Sequence, residues 1–269
     1  MAITALHSAS TGLSSLSTEL DVIANNLANI NTTGFKASRV NFEDLMYQQK
    51  QQPGVENANG DLRPAGLYVG LGTKVSNTQI DFTQGDPVST DHQLDLMIEG
   101  HGFFELSIVE DIGGGRAYTR DGNFIRNAEG DLVLGTMDGP RLEPPISIPD
   151  DTTKVEITSD GQVFAFTNQD IDGTLVGTIT LSTFVNPEGL RSIGGNRYIE
   201  TAASGPPIQG LPGESQFGTL LQNHLESSNV EPVKELISLI KTQRAFEMNS
   251  QTIQAADETL QVISNLRRF

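Results

Sequence analysis

The sequence predicts an α+β fold: long N- and C-terminal helices that pair as a coiled coil, an inserted antiparallel β domain and an extended connector. Apolar residues recur every seven positions near both ends of the 269-residue chain, which is the pattern of coiled-coil helices. Between the ends, apolar and polar residues alternate with a period of two, and Asp-Gly pairs recur. That alternation indicates antiparallel strands joined by tight turns.

We predict four segments along the chain. The helical pattern at the two ends bounds the N- and C-terminal helices, which together form an inner axial domain, and the alternating pattern bounds the β domain. The predicted boundaries are 1–34 for the N-terminal helix, 35–71 for an extended or hairpin connector, 72–227 for the β domain and 228–269 for the C-terminal helix.

The N-terminal helix carries an apolar a/d series over four heptads. An isolated helix cannot cover such a seam, so the pattern predicts a partner helix or a neighbouring subunit. The predicted interface positions are Leu6, Leu13, Leu16, Leu20, Ile23, Leu27 and Ile30.

The predicted N-terminal helix runs into the polar stretch NNLANINTTGFK, residues 25–36. Its amides can satisfy backbone groups where the chain leaves the helix, and we hypothesise that they also bond to adjacent subunits. Gly34 can adopt the positive φ of a helix C-terminal cap, and Phe35 can fill a neighbouring apolar site. The candidate amides are those of Asn25, Asn26, Asn29 and Asn31.

The C-terminal helix carries a matching apolar stripe. Its start is marked by Ser228 or Asn229 as a candidate cap and by Pro232 in the first turn. The predicted interface positions are Leu236, Leu239, Ile240, Phe246, Ile253, Leu260 and Ile263.

The middle of the chain contains clear strand signals. The stretch KVEITSDGQVFAF predicts a hairpin around Asp160-Gly161. The aromatic cluster of Phe103, Phe104, Tyr118 and Phe124 could form a ligand platform, but aromatic residues in alternating strands favour a place in the core.

Charge is distributed unevenly along the chain, whose net charge is −17. Residues 51–228 hold 9 basic and 25 acidic residues, whereas the two ends are nearly neutral. An acidic middle repels phosphate backbones, so nucleic-acid binding is not expected. No window is long and apolar enough to predict insertion into a membrane.

Sequence motifs for catalysis are not found. The chain has no cysteine, and its four histidines show no metal-ligand spacing. We therefore predict no catalytic residue, no metal site and no cofactor. A glycosidase-type carboxylate pair leaves no motif, so an enzyme acting on cell-wall glycan stays open as a distant alternative.

Several stretches resemble the flagellar rod and hook protein family. SASTGLSSLSTELDVIANNLANINTTGFK is similar to the N-terminal motif of that family, and SSNVEPVKELISLIKTQRAFEMNSQTIQAADETLQ to its C-terminal motif. In the middle, IEGHGFFEL and YTRDGNFIRNAEGDLVL resemble the core of the family's β domain. The length and the segment YQQKQQPGVENANGDLRPAGLYVGLGTKV resemble the distal-rod members.

The resemblance implies a structural subunit of the bacterial flagellum. Such subunits leave the cell through the flagellar type III export machinery and polymerise helically into a drive shaft that spans the periplasm and transmits torque to the hook. The implied partners are further copies of the chain, other rod proteins, the hook protein and the surrounding peptidoglycan and outer-membrane rings. A proximal rod or hook-like axial adaptor of the same family is the alternative.

Overall fold

The computed structural model describes residues 2–54, 64–108, 113–167, 173–214 and 216–266. The side chains of Ala2, Ile3, Ile263, Ser264 and Leu266 lie outside this description. Contacts divide the chain into two units, which we call the helical unit and the β unit. The helical unit comprises Met1–Ala28, Ser38–Ile80 and Glu231–Phe269, and the β unit comprises Asn29–Ala37 and Asp81–Val230.

The helical unit contains two long helices and two short antiparallel ribbons. In the ribbons β1 pairs with β4 and β2 pairs with β3. The elements are α1 (Ala2–Ala28), β1 (Ser38–Asp44), β2 (Tyr47–Gln51), β3 (Leu67–Gly70), β4 (Thr73–Ile80) and α2 (Pro232–Leu266).

Contacts of α1 hold the helical unit together. This helix packs against α2 and against both strands of the β1–β4 ribbon. Nδ1 of His7 on α1 lies 3.0 Å from the carbonyl oxygen of Leu71, which stands between β3 and β4. The ribbon is therefore anchored to the N-terminal helix.

The β unit is built from short antiparallel strands. Its strands are β5 (Pro87–Ser89), β6 (Leu96–Glu99), β7 (Phe103–Ser107), β8 (Arg116–Thr119), β9 (Phe124–Arg126), β10 (Leu132–Leu134), β11 (Arg141–Glu143), β12 (Thr152–Ile157), β13 (Gln162–Thr167), β14 (Thr174–Thr178), β15 (Leu181–Thr183), β16 (Arg191–Gly194), β17 (Arg197–Ile199), β18 (Ile208–Gly210), β19 (Thr219–Gln222) and β20 (His224–Glu226).

The largest sheet of the β unit has the strand order β16-β17-β8-β7-β11-β10-β9, and β15 joins β18 to β7. Strands β12, β13 and β14 form a three-stranded sheet, and β6 pairs with β19 and β5 with β20. One apolar cluster, from Leu96 to Leu220, forms the core of this unit. Phe103, Phe104, Tyr118 and Phe124 are all buried, as predicted for core residues.

The predicted α+β class and the hairpin at Asp160-Gly161 are confirmed, since β12 pairs with β13 across that turn and Gly161 has a φ of +84°. Both helices are shorter than predicted, because α1 ends at Ala28 and α2 begins at Pro232. The connector is mostly strand: its β1 pairs with β4 up to Ile80, beyond the predicted boundary at 71. Residues 55–63 of the connector lie outside the described residues.

The described residues contain neither a membrane-spanning helix nor a metal-binding group. Neither α1 nor α2 contains a stretch apolar enough to cross a membrane. Within the described ranges, no group of three or more His, Asp or Glu side chains is placed to hold a metal ion.

Candidate assembly interface

The most buried positions in the first half of α1 are small residues. Ala9, Gly12 and Ser15 are buried, and a Cβ at position 12 would lie 3.2 Å from Nδ2 of Asn249 on α2. Glycine weakens a helix but permits close approach of a neighbouring chain. Gly12 therefore lies where α1 and α2 approach closely. Small residues at intervals of three, Ala9, Gly12 and Ser15, could have predicted this contact from the sequence, but the analysis followed the leucine pattern instead.

The predicted leucine seam of α1 is only partly covered within the helical unit. Ile23 is buried, whereas the leucines remain half-buried. Ile30 lies beyond the end of α1, in the β unit, where it is also half-buried. Contact of these positions with a second subunit stays a prediction. The half-buried leucines are Leu6, Leu13, Leu16, Leu20 and Leu27.

The seven-residue series on α2 lies on one face of the helix. Its members Leu239, Phe246, Ile253 and Leu260 are half-buried, and Thr242, between the first two, is buried. The side chain of Ile263 lies outside the described residues.

A second group on α2 is open to solvent. Val233, Leu236, Ile237 and Ile240 are 70%, 45%, 49% and 48% exposed, and their spacing places them on one side of the first two turns. We call these four residues the exposed apolar patch. It includes Leu236 and Ile240 of the predicted interface.

Asn26 satisfies backbone groups, as predicted, but it does so within the chain. Its Nδ2 donates a 2.8 Å hydrogen bond to the carbonyl oxygen of Ser38, and the N–H of Ser38 donates a 3.0 Å bond to its Oδ1. The amide thus takes the place of a neighbouring strand at the first residue of β1. A bond from Asn26 to another subunit stays a prediction, and the structure gives the side chain an intrachain role.

The remaining polar residues follow the helix. The N–H of Thr32 donates to the carbonyl oxygen of Asn29 at 3.1 Å, and its hydroxyl donates to Oδ1 of Asn29 at 3.2 Å. Such side-chain bonds compete with the helical pattern, which is the reason that α1 stops before the predicted boundary at 34. Asn25 and Asn31 are exposed, and Asn29 is half-buried.

Gly34 adopts the positive φ that the sequence predicted, +66°, but the predicted helix cap is wrong, because α1 ends at Ala28 and the N–H of Gly34 donates to Glu226 instead. A Cβ at this position would lie 2.8 Å from the backbone nitrogen of Asp121, so the close approach also requires glycine. The neighbouring Phe35 is half-buried.

Three buried charges that the sequence analysis did not predict lie together in the β unit. Oε1 of Glu226 accepts bonds from Nζ of Lys36 at 2.5 Å and from the N–H of Gly85 at 3.0 Å. Oε2 of Glu226 lies 3.5 Å from Nη1 of Arg120. Nζ of Lys36 also donates to the carbonyl oxygen of Thr83 at 2.6 Å.

Burial and charge act in opposite directions on this cluster. Burial lowers the pKa of Lys36 and of Arg120, and the carboxylate of Glu226 opposes both changes. Burial also raises the pKa of the nearby Tyr198 to about 12, and the charge of Glu226 adds to the increase. Removal of one partner from a buried ion pair is strongly destabilising, so the cluster specifies which chain segments meet here.

Asn229, predicted as a helix cap, connects two other segments of the β unit instead. Its Oδ1 accepts a 2.7 Å bond from the N–H of Ala37, and its Nδ2 donates a 2.8 Å bond to the carbonyl oxygen of Asp81. The hydroxyl of Ser228 accepts from the N–H of Val230, which precedes α2. The cap prediction is therefore wrong for both residues, because their side chains bond to backbone groups outside the helix.

We call the three segments that meet in this region the clamp: residues 33–37, 81–90 and 224–230. The N–H of Gly34 donates to the carbonyl oxygen of Glu226 at 2.8 Å, and the N–H of Ser227 to that of Asp86 at 3.0 Å. Strand β20 pairs with β5 in the same region. The clamp is held by backbone hydrogen bonds, by hydrogen bonds of a side-chain amide and by buried ion pairs, so its role is structural.

Comparison with known proteins gives a consistent result over the whole chain. Residues 6–36 match the family model described as flagella basal body rod protein, residues 97–165 match the flagellar hook protein FlgE/F/G D1 domain, and residues 221–266 match the flagellar basal body rod FlgEFG protein C-terminal domain. The two terminal matches include most of α1 and α2.

Individual relatives are similar over nearly their full length. The flagellar basal-body rod protein FlgG of Agrobacterium fabrum is 43% identical over 97% of this chain and 98% of its own. The proteins of the same description from Caulobacter vibrioides and Borreliella burgdorferi are 42% and 41% identical, each over 98% of this chain and 99% and 98% of their own. The chain therefore belongs to the flagellar basal-body rod protein family and is a structural subunit of that rod.

Proposed function

We propose that this chain self-assembles helically into the distal rod of the bacterial flagellum, the drive shaft that transmits torque through the periplasm to the hook. In the assembled rod α1 and α2 pair as a coiled coil and form the inner axial domain. Head-to-tail contacts that do not close on themselves generate a helical tube. Near-full-length similarity to rod proteins of several species supports this role.

The exposed apolar patch on α2 is the observation that carries the proposal. The four aliphatic side chains lie within two helical turns, and a partner that packs on them would remove their apolar surface from water. Each Å² of apolar surface buried in this way stabilises the contact by about 25 cal/mol. Solvent-facing helix positions in a monomer are ordinarily polar. A neighbouring subunit that covers the patch accounts for its composition.

The β2–β3 ribbon of the helical unit supports contact between neighbouring subunits. Large side chains on this ribbon or directly before it are exposed to solvent: Met46 by 81%, Tyr47 by 57%, Leu67 by 49% and Tyr68 by 50%. An isolated two-stranded ribbon is marginally stable in water. Packing between neighbouring subunits would cover these side chains and stiffen the shaft.

Assembly and ordering of the terminal helices occur together in this proposal. Unpaired amphipathic helices gain most of their stability from packing, so the growing end of the polymer supplies the surface that stabilises them. The proposed partners are further copies of the chain, other rod proteins, the hook protein, the peptidoglycan and outer-membrane rings and the type III export machinery.

Electron microscopy of basal bodies from cells that lack this gene tests the position in the rod. A rod stub without distal shaft and hook is expected. A complete rod and hook would contradict the proposal and would favour an accessory role in the family.

The apolar patch is tested separately in cells that carry an altered gene. Ile240→Asp is expected to abolish distal rods, because it places a charge in the covered face. Gln251→Asp, at an exposed polar position of the same helix, is the matched control and should leave rods intact. Normal rods in the Ile240→Asp strain would remove the patch from the interface.

A further inference from the structure

The clamp lies beside the main apolar cluster of the β unit. Among the described residues, the buried members of that cluster run from Leu96 to Leu220, so none of them belongs to the three clamp segments. The chain has therefore supplied the whole main cluster before it reaches the last clamp segment, residues 224–230. That segment adds one further buried apolar side chain, Val230.

Polar interactions hold the clamp. Glu226 forms ion pairs with Lys36 and Arg120 and accepts a hydrogen bond from the N–H of Gly85. Asn229 bonds through its side chain to backbone groups of Ala37 and Asp81. Apolar contacts are fewer: Val230 is buried, and the ring of Phe82 lies 5.3 Å from those of Phe103 and Tyr198.

This difference in chemistry predicts a difference in local stability. A hydrogen bond contributes about 0.5–1.5 kcal/mol net, and segments with few buried apolar contacts open at lower free energy than the core. Once the core has folded, only the short stretches between the core and the clamp segments still have to be ordered, so the clamp can open and close as a local event.

We propose that the clamp is a latch that closes after the core of the β unit has folded and that opens without unfolding the core. This inference goes beyond the proposed function, since it concerns the β unit of a single chain. A chain that emerges with its N-terminus first cannot dock residues 33–37 until residues 224–230 are available. The latch thus couples docking of the N-terminal segment to completion of the chain.

Native-state hydrogen exchange of the purified full-length chain tests the latch. The amides of Gly34 and Ser227 report on the clamp, because they donate to Glu226 and Asp86, and the amides of β7 and β8 report on the core. In the wild-type chain we expect the clamp amides to exchange at least about tenfold faster than the core amides. Equal rates would overturn the proposal.

A variant tests whether the two regions are independent. Asn229→Ala removes bonds to Ala37 and Asp81 and leaves the acceptors of both reporter amides in place, so exchange at Gly34 and Ser227 should increase by about tenfold with β7 and β8 unchanged. Acceleration of the core by the same factor, or failure of the variant to fold, would show one cooperative unit and would overturn the latch. Asn186→Ala, which removes a bond to Ala203 outside the clamp, is the matched control and should change neither clamp amide.

Discussion

Lys36 and Glu226 form an ion pair that is fully excluded from solvent, with 2.5 Å between Nζ and Oε1, although 190 positions separate them in the chain. The pair joins the segment that leaves α1 to the segment that approaches α2. Glu226 is also the acceptor for Gly85 and the ion-pair partner of Arg120. One carboxylate therefore specifies how three parts of the chain meet.

Loss of the ammonium group should destabilise the clamp. Lys36→Met leaves Glu226 buried with one cationic partner fewer, and removal of one member of a buried pair costs about 3–5 kcal/mol. The expected result is faster hydrogen exchange at Gly34 and Gly85. Lys74→Met, which breaks the exposed pair with Glu43, should leave both rates unchanged, and an equal effect of the two substitutions would contradict this account.

A side chain at position 34 should strain the clamp and also collide with its neighbour. Gly34→Ala combines a positive φ, which costs about 1–2 kcal/mol for a residue with a Cβ, with a contact 2.8 Å from the backbone nitrogen of Asp121. Gly205→Ala has a similar φ of +77° and no atom within 4 Å. Urea unfolding should show a larger loss for Gly34→Ala, and equal losses would mean that the neighbour yields without cost.

Substitution of Asn26 should impair the rod more than substitution of an exposed polar residue of α1. Asn26→Ala removes two part-buried hydrogen bonds to the N–H and carbonyl of Ser38, each of which contributes about 0.5–1.5 kcal/mol net. We expect fewer rods in isolated basal bodies and smaller swimming zones in soft agar. Ser17→Ala, at an exposed position of the same helix, is the control, and intact motility in both strains would argue against the role of Asn26.

Asp121→Asn should stabilise the β unit at neutral pH. Burial raises the pKa of Asp121 above its ordinary value of 3.8, although the N–H of Asn123 and the hydroxyl of Thr33 oppose the increase. Below 3.8 the group is protonated in both the folded and unfolded states, so it costs nothing; as the pH rises through the folded pKa, ionisation in the buried site lowers the free energy of unfolding. The neutral amide avoids this loss.

Urea unfolding at a series of pH values measures the difference between the Asp121→Asn and wild-type chains. That difference should be largest at pH 7 and should shrink toward zero as the pH falls to about 3.8. A constant difference for Asp121→Asn would show that the folded and unfolded pKa values are equal.

Patterns of neighbouring residues were enough to predict the α+β class and several local features. Heptad spacing predicted both terminal helices, alternation predicted the β segments, and turn chemistry predicted the hairpin at Asp160-Gly161. Gly34 also has the positive φ that was predicted, which glycine adopts without steric cost, although it does not cap α1. Each of these features depends on residues close together in the chain, where steric and hydrogen-bonding rules act directly.

Features that depend on distant residues were missed. Asn229 has the chemistry of a helix cap, and only the fold brings Ala37 and Asp81 close enough to take its bonds instead. From the sequence alone, Lys36 is expected on the surface, and only the fold places Glu226 beside it. Likewise Gly12 is expected only to weaken the helix, and the fold shows that Asn249 packs against it. In each case a tertiary partner decided the role, and periodicity contains no information about that partner.

The bond between the N–H of Gly34 and the carbonyl oxygen of Glu226, 2.8 Å long, brings the segment that enters the β unit beside the segment that leaves it. A module whose two ends meet can be lengthened, shortened or exchanged for another without displacing what precedes and follows it. The loops of the β unit can therefore change in length while the separation of its two ends stays the same.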